Sequence, residues 1–170
     1  MNVFIGYSNH PGIFRNPDKK SKWTGIGFSN NPQMRLTDVV IGWVEIDTGR
    51  PFIMDMWTTT YLQPALDPRQ DIFDKSGKLE NGVTTISFSR KRDTGDKQDI
   101  AFTDTEDRYM IFPIKGGGYN GVNKKLYKHE EVPIASSERI FIKSCRTGDL
   151  NILIFMSHCH ESFVTAHLVT

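Results

Sequence analysis

Apolar positions along this chain fall mostly into short runs rich in β-branched and aromatic residues, divided by glycine, proline, asparagine and aspartate. That punctuation predicts an all-β sandwich or barrel. Strands are expected at residues 3–8, 23–29, 38–46, 51–60, 84–91, 109–113 and 139–145. The run 38–46 (DVVIGWVEI) is almost continuously apolar, as in a strand covered on both faces. Asp47-Thr48-Gly49-Arg50 then has the chemistry of a tight hairpin. In 84–91 the period is two, with Ile86 and Phe88 on one face and Thr85, Ser87 and Ser89 on the other.

No segment shows sustained helical periodicity, so helix is expected to occupy less than about a fifth of the chain. Residues 62–80, with their prolines and charges, read as a surface excursion. Beyond Cys145 the pattern changes: an apolar run at 151–157 precedes His158, His160 and His167. This segment either adds a final strand or forms a less ordered extension, and the expectation is the latter. The organisation expected is one domain over 1–145 and a tail over 146–170.

Composition narrows the function classes. With 170 residues, 38% hydrophobic and 24% charged, the chain has material for one core. A net charge of +1 lacks the basic excess of a dedicated nucleic-acid binder. No apolar run reaches the roughly 18 residues of a membrane-spanning helix, and the first residues do not read as a signal peptide. Two cysteines, Cys145 and Cys159, imply no disulfide framework.

Candidate chemistry is sparse. Gly116 and Gly121 have the glycine spacing of a phosphate loop, but Val122 and Asn123 stand where lysine and serine or threonine are needed. Gly25 and Gly27 lie inside a strand pattern, which excludes a dinucleotide fingerprint. His158 and His160 would share a face in an extended strand and could hold a metal by chance, though a solvated tail explains them more simply. No nucleophile elbow or paired acid–base carboxylates stand out. Met34 is a thioether in a polar loop (NNPQMR) and His129 lies in another polar stretch (YKHEE). From the residues alone, the first packs on the sandwich and the second sits in solvent.

Several motifs in order carry a family resemblance. Trp23-Thr24-Gly25-Ile26-Gly27-Phe28-Ser29, Met34, and Thr37-Asp38-Val39-Val40-Ile41-Gly42-Trp43-Val44 resemble the opening of a DOMON domain. Pro64-Ala65-Leu66-Asp67, Gln70-Asp71, Phe88-Ser89-Arg90-Lys91-Arg92-Asp93-Thr94-Gly95-Asp96 and Asp99 continue it. Phe112-Pro113-Ile114-Lys115-Gly116-Gly117, Tyr119-Asn120, His129, Pro133 and Ser136 are similar to the Skeletor/Knickkopf branch. The likeness spans residues 23–145.

It implies an immunoglobulin-like antiparallel β-sandwich similar to the cytochrome domain of cellobiose dehydrogenase. It also implies an extracellular setting and no catalytic residues of the domain's own. In haem-binding members a loop methionine and a late histidine ligate the iron, and those positions match Met34 and His129. Such ligation raises the iron potential and suits electron transfer, here with non-covalent haem b because no C-x-x-C-H is present. The two side chains should then face each other across an apolar pocket, with the second ring nitrogen of His129 donating to a carbonyl or carboxylate. Arg35 and Lys125 are expected near the propionates, and a redox protein or a matrix component is the implied partner. The family's usual strands ahead of Trp23 are reduced here to 3–8, so a shortened domain is expected. Two rivals remain: a cofactor-free glycan or matrix module using Trp23, Trp43, Trp57 or Tyr61, with core packing favoured for Trp43 in its doubly covered strand, and a structural domain without ligand.

Overall fold

A computed structural model describes residues 22–143 and, as backbone, 163–169. The described residues form strands and no helix. The strands are β1 (Thr24–Ser29), β2 (Thr37–Val44), β3 (Pro51–Thr58), β4 (Ala65–Leu66), β5 (Ile72–Glu80), β6 (Val83–Lys91), β7 (Asp107–Phe112), β8 (Tyr119–Asn120), β9 (Lys125–Leu126), β10 (Ile134–Ala135), β11 (Ile140–Phe141) and β12 (Phe163–Val169). The larger sheet runs β10-β7-β1-β2-β3-β4, with β11 also on β7. The smaller runs β12-β6-β5, and β8 and β9 form a separate ribbon. All pairings are antiparallel.

The sandwich core lies where the sheets meet. Ile26 and Phe28 of β1, Val40 of β2 and Ile53 of β3 pack with Ile86 and Phe88 of β6. The period-two reading of 84–91 is therefore met, and the even face continues to Arg90, which is fully buried. Every residue of β2 is buried, as its apolar run predicts. Val39, Ile41 and Trp43 belong to a second cluster on the opposite face with Trp23, Met56 and Leu126. There Trp43 stacks between Phe52 (5.3 Å) and Tyr119 (4.7 Å).

One reading needs correction. Residues 62–80 are not only a surface excursion, because β5 fills their second half and pairs with β6. The strand escapes the hydrophobic pattern because it is an edge in which Ile72 alone is fully buried. Its register also shifts between Phe73 and Ser76, beside Asp74 at φ 48°. The legible signal was the turn: Asn81 (φ 53°) and Gly82 (φ 81°) form a two-residue hairpin loop in which both positions need the left-handed region.

Within the segment read as a tail, the backbone of β12 pairs with β6 from Phe163↔Lys91 to Val169↔Thr85. The expected strand at 3–8, the apolar run 151–157, His158 and His160 lie outside the described residues. Among the described residues no helix is long and apolar enough to cross a membrane.

Candidate functional site

The outward face of the larger sheet carries an apolar pocket of about 340 Å³, within the usual range for small-molecule sites. Its floor is sheet. Gly25 and Gly27 of β1 pair with Ile41 and Val39 of β2, and Gly27 also pairs with Ile111 of β7. A Cβ on Gly25 would come within 2.5 Å of the Val40 carbonyl, and one on Gly27 within 2.7 Å of Thr37 Cγ2. Side chains at these two positions would both crowd the sheet and fill the pocket, so the glycines keep a flat, open floor.

One wall is the loop between β1 and β2, which brings Met34, half-buried, to the pocket. Threonines hold this loop. Thr58 Oγ1 donates to the Met34 carbonyl, and Thr37 Oγ1 donates to the Gln33 carbonyl at 3.1 Å. Leu36, at φ 52°, turns the chain back into β2. Tyr61, Leu62 and Pro64 extend the wall, and the Tyr61 hydroxyl donates to Gln33 Oε1 at 3.0 Å.

A second wall is the segment after β9, with Tyr127, Lys128, His129 and Pro133. Here Gly116 and Gly117 find their use. A Cβ on Gly116 would lie 1.7 Å from the Trp23 carbonyl oxygen, and one on Gly117 would lie 2.1 Å from that of Lys128. Only bare backbone admits so close an approach. The Trp23 indole donates to the Tyr127 carbonyl at 2.9 Å, Tyr127 N–H to the Gly118 carbonyl at 2.9 Å and Glu130 N–H to the Lys115 carbonyl at 2.9 Å. Glu130 also meets Lys22 at 2.6 Å and Lys115 at 3.1 Å, and these two ammonium groups lower its pKa. The segment carrying His129 is thus tied down on both sides of the histidine.

Met34 and His129, far apart in sequence, line the same pocket, and both are half-buried. Two expectations differ from what is found, the histidine's second hydrogen bond and the nearby cations, while the aromatics divide. The His129 ring makes no hydrogen bond among the described residues. Arg35 and Lys125 are exposed and neither lines the pocket, whereas Lys128 does. Of the aromatics considered for stacking, Trp23 and Tyr61 line the pocket, while Trp43 is buried and Trp57 lies elsewhere on β3.

The sequence reading also missed a buried ionic cluster. Arg90 crosses from the smaller sheet to Asp38 Oδ2 at 2.6 Å, and its other amino group donates to the Ile100 carbonyl at 3.1 Å and approaches Asp99 at 3.6 Å. Asp38 Oδ2 accepts from Ile100 N–H as well, at 2.8 Å. Oxygens of Asp38, Asp55 and Asp99 all lie within 4.8 Å of one another. Burial, and then the charges of Asp38 and Asp99, push the Asp55 carboxyl up to about 7. Burial likewise raises Asp38 against the opposing pull of Arg90. The signal was present as Asp38 and Arg90, polar positions on otherwise apolar faces.

The sequence profile of the DOMON domain matches residues 13–115. The chain belongs to the DOMON family. Among curated proteins, a 98-residue stretch is 33% identical to DBH-like monooxygenase protein 1 of Mus musculus, covering 57% of this chain and 16% of that protein. The Homo sapiens protein of the same name is 32% identical over 110 residues, 63% of this chain and 18% of its own length. MOXD1 homolog 2 of Drosophila melanogaster is 34% identical over 91 residues, 52% of this chain and 12% of its length. The DOMON resemblance therefore stands, but these relatives are DBH-like and do not point specifically to the Skeletor/Knickkopf branch. The chain spans less than a fifth of each of these three relatives.

Proposed function

We propose that this DOMON domain holds haem b non-covalently in the outer-face pocket, with Met34 and His129 as axial ligands, and passes electrons to a redox partner outside the cell. The observation that carries this reading is that Met34 and His129, far apart in sequence, line one apolar pocket. The donor set fits: a thioether and an imidazole are both good ligands for haem iron. The floor fits as well, since the glycines at 25 and 27 admit a flat ring against the sheet. Bound haem would supply a one-electron couple. The chain's own part is to hold the two ligands on anchored loops and to exclude water with Val39, Ile41 and Leu126.

The domain itself is assigned no catalysis. The names of the relatives speak of monooxygenases, and any such activity is attributed to parts of those proteins that this chain does not cover. A glycan module is the weaker reading, because Trp23 and Tyr61 are present but the floor is glycine, valine and isoleucine and no carboxylate among the described residues lines the pocket to take paired sugar hydroxyls.

Titrating the purified chain with haemin and recording reduced and oxidised spectra tests the assignment. A low-spin Soret band, with α and β bands on reduction, is expected. Met34→Leu should keep the fold but turn the iron high-spin or loosen it, and His129→Ala should abolish binding. If both variants bind haemin as the parent does, the ligand pair is wrong.

A further inference from the structure

Lys128 is the one lysine or arginine among the described residues that lines the outer-face pocket, and no aspartate or glutamate lines it. Its neighbours Lys22 and Lys115 are both engaged by Glu130. Lys128 itself is exposed and makes no ion pair among the described residues. The polarity of the site is therefore segregated. Glycine, valine and isoleucine make the floor, while a free ammonium stands at the rim on the same short segment as His129.

Such a cavity favours a ligand of matching polarity. An apolar body is removed from water on the floor, while an acid group stays at the mouth, partly hydrated and paired with the cation. A carboxylate placed on the floor would have no cation to meet and would lose its hydration.

We propose that the pocket selects amphipathic anions, with the ligand's acid group held by Lys128 and its apolar body lying over Gly25 and Gly27. The proposal rests on the haem reading to the extent that haem, with two propionates, is such a molecule. It extends to other apolar acids and fixes which edge of the ligand faces solvent.

Trp23 in the pocket wall is a built-in fluorescent reporter of occupancy. Two probe pairs of matched shape separate the charge from the body: haemin against its dimethyl ester, and 8-anilinonaphthalene-1-sulfonate against the uncharged N-phenyl-1-naphthylamine. Each is titrated against the parent, Lys128→Gln, Lys128→Glu and, as a control of equal charge change outside the pocket, Lys125→Glu. The expected result is affinity for the anionic members reduced a few-fold by Lys128→Gln and about tenfold by Lys128→Glu. The neutral members and the Lys125→Glu control should be unaffected. Should neither form of haemin bind while the sulfonate still binds and depends on Lys128, the haem reading falls and this one stands. Equal affinity of parent and Lys128→Glu for the sulfonate, or equal losses for its neutral counterpart, overturns the proposal even if haemin binds. So does the absence of binding by all four probes.

Discussion

The two faces of β2 are made by one alternating strand and put to opposite uses. Inward, Asp38 and Val40 meet the smaller sheet, where the space is filled by Ile86, Phe88 and the Arg90 side chain. Outward, Trp43 is stacked on both sides by Phe52 and Tyr119, but Thr37, Val39 and Ile41 look into an open pocket. The filled face holds the sheets together through packing and a buried charge. The open face is kept open by glycines in the neighbouring strand and bounded by loops that hydrogen bonds hold in place. Damage to the first should appear in stability, and damage to the second in ligand binding.

The sharpest way to break that division is to remove the buried cation. Arg90→Met keeps much of the aliphatic volume and leaves Asp38, Asp55 and Asp99 together without their counter-charge. Breaking a buried pair by deleting one partner costs about 3–5 kcal/mol, a large share of a small domain's stability. Urea denaturation should show that loss at neutral pH, and a partial recovery when Asp38→Asn is added. A loss under about 1 kcal/mol would mean the cluster is far better hydrated than its burial indicates.

Titration of Asp55 tests the same face more gently. Its carboxyl rises from an ordinary 3.8 to about 7 in the folded chain. Below about pH 4 it is protonated in both states and costs nothing. Between about 4 and 7 the unfolded chain releases the proton while the folded chain keeps it, so this group makes stability fall as pH rises. Above 7 both states are ionised and the penalty is constant, at most about 4 kcal/mol. Asp38, also raised, acts in the same direction. Asp55→Asn should be more stable than the parent at pH 7.5 and about equal to it at pH 4. An unchanged pH slope in that variant would refute the assignment.

How far each face was legible follows from the kind of signal it leaves in sequence. Short apolar runs between turn residues identified β1, β2, β3 and β7, with β2 continuous in the run because both its faces are covered, and alternation identified β6. It failed at β5, whose solvent-facing edge carries little hydrophobic pattern, although Asn81-Gly82 marked its hairpin. Met34 and His129 were found through family resemblance alone, since neither has a local environment that distinguishes it from packing or solvent. What placed them together is long-range: the sheet order β7-β1-β2 and the close approach of Gly116 and Gly117 to segments far away in the chain. The Arg90 cluster was missed for the related reason that a charge pair across two sheets has no sequence period. Lys128, rather than Arg35 or Lys125, lines the pocket because the stretch from Leu126 to His129 is the part of the chain brought against it, which proximity in sequence does not resolve.

The smallest effect on stability should come from the open face, at Thr58. Its hydroxyl donates to the Met34 carbonyl, and it accepts from Thr37 N–H at 3.1 Å. Thr58 is itself buried at the end of β3, so it links the Met34 loop to the sheet below. Thr58→Val preserves shape and β-branching but removes the donor, leaving a carbonyl and an amide without that partner. A hydrogen bond of this kind contributes about 1 kcal/mol net, so the urea midpoint should fall only modestly. Ligand binding should respond more, because the loop that carries Met34 loses an anchor while the glycines of the floor and the segment carrying His129 keep their own contacts. A severalfold weaker haemin affinity, with Thr58→Ser restoring it, is the expected outcome. If Thr58→Val instead destabilises the fold as strongly as Arg90→Met, or leaves both stability and affinity unchanged, the division of labour between the two faces of β2 does not hold at this residue.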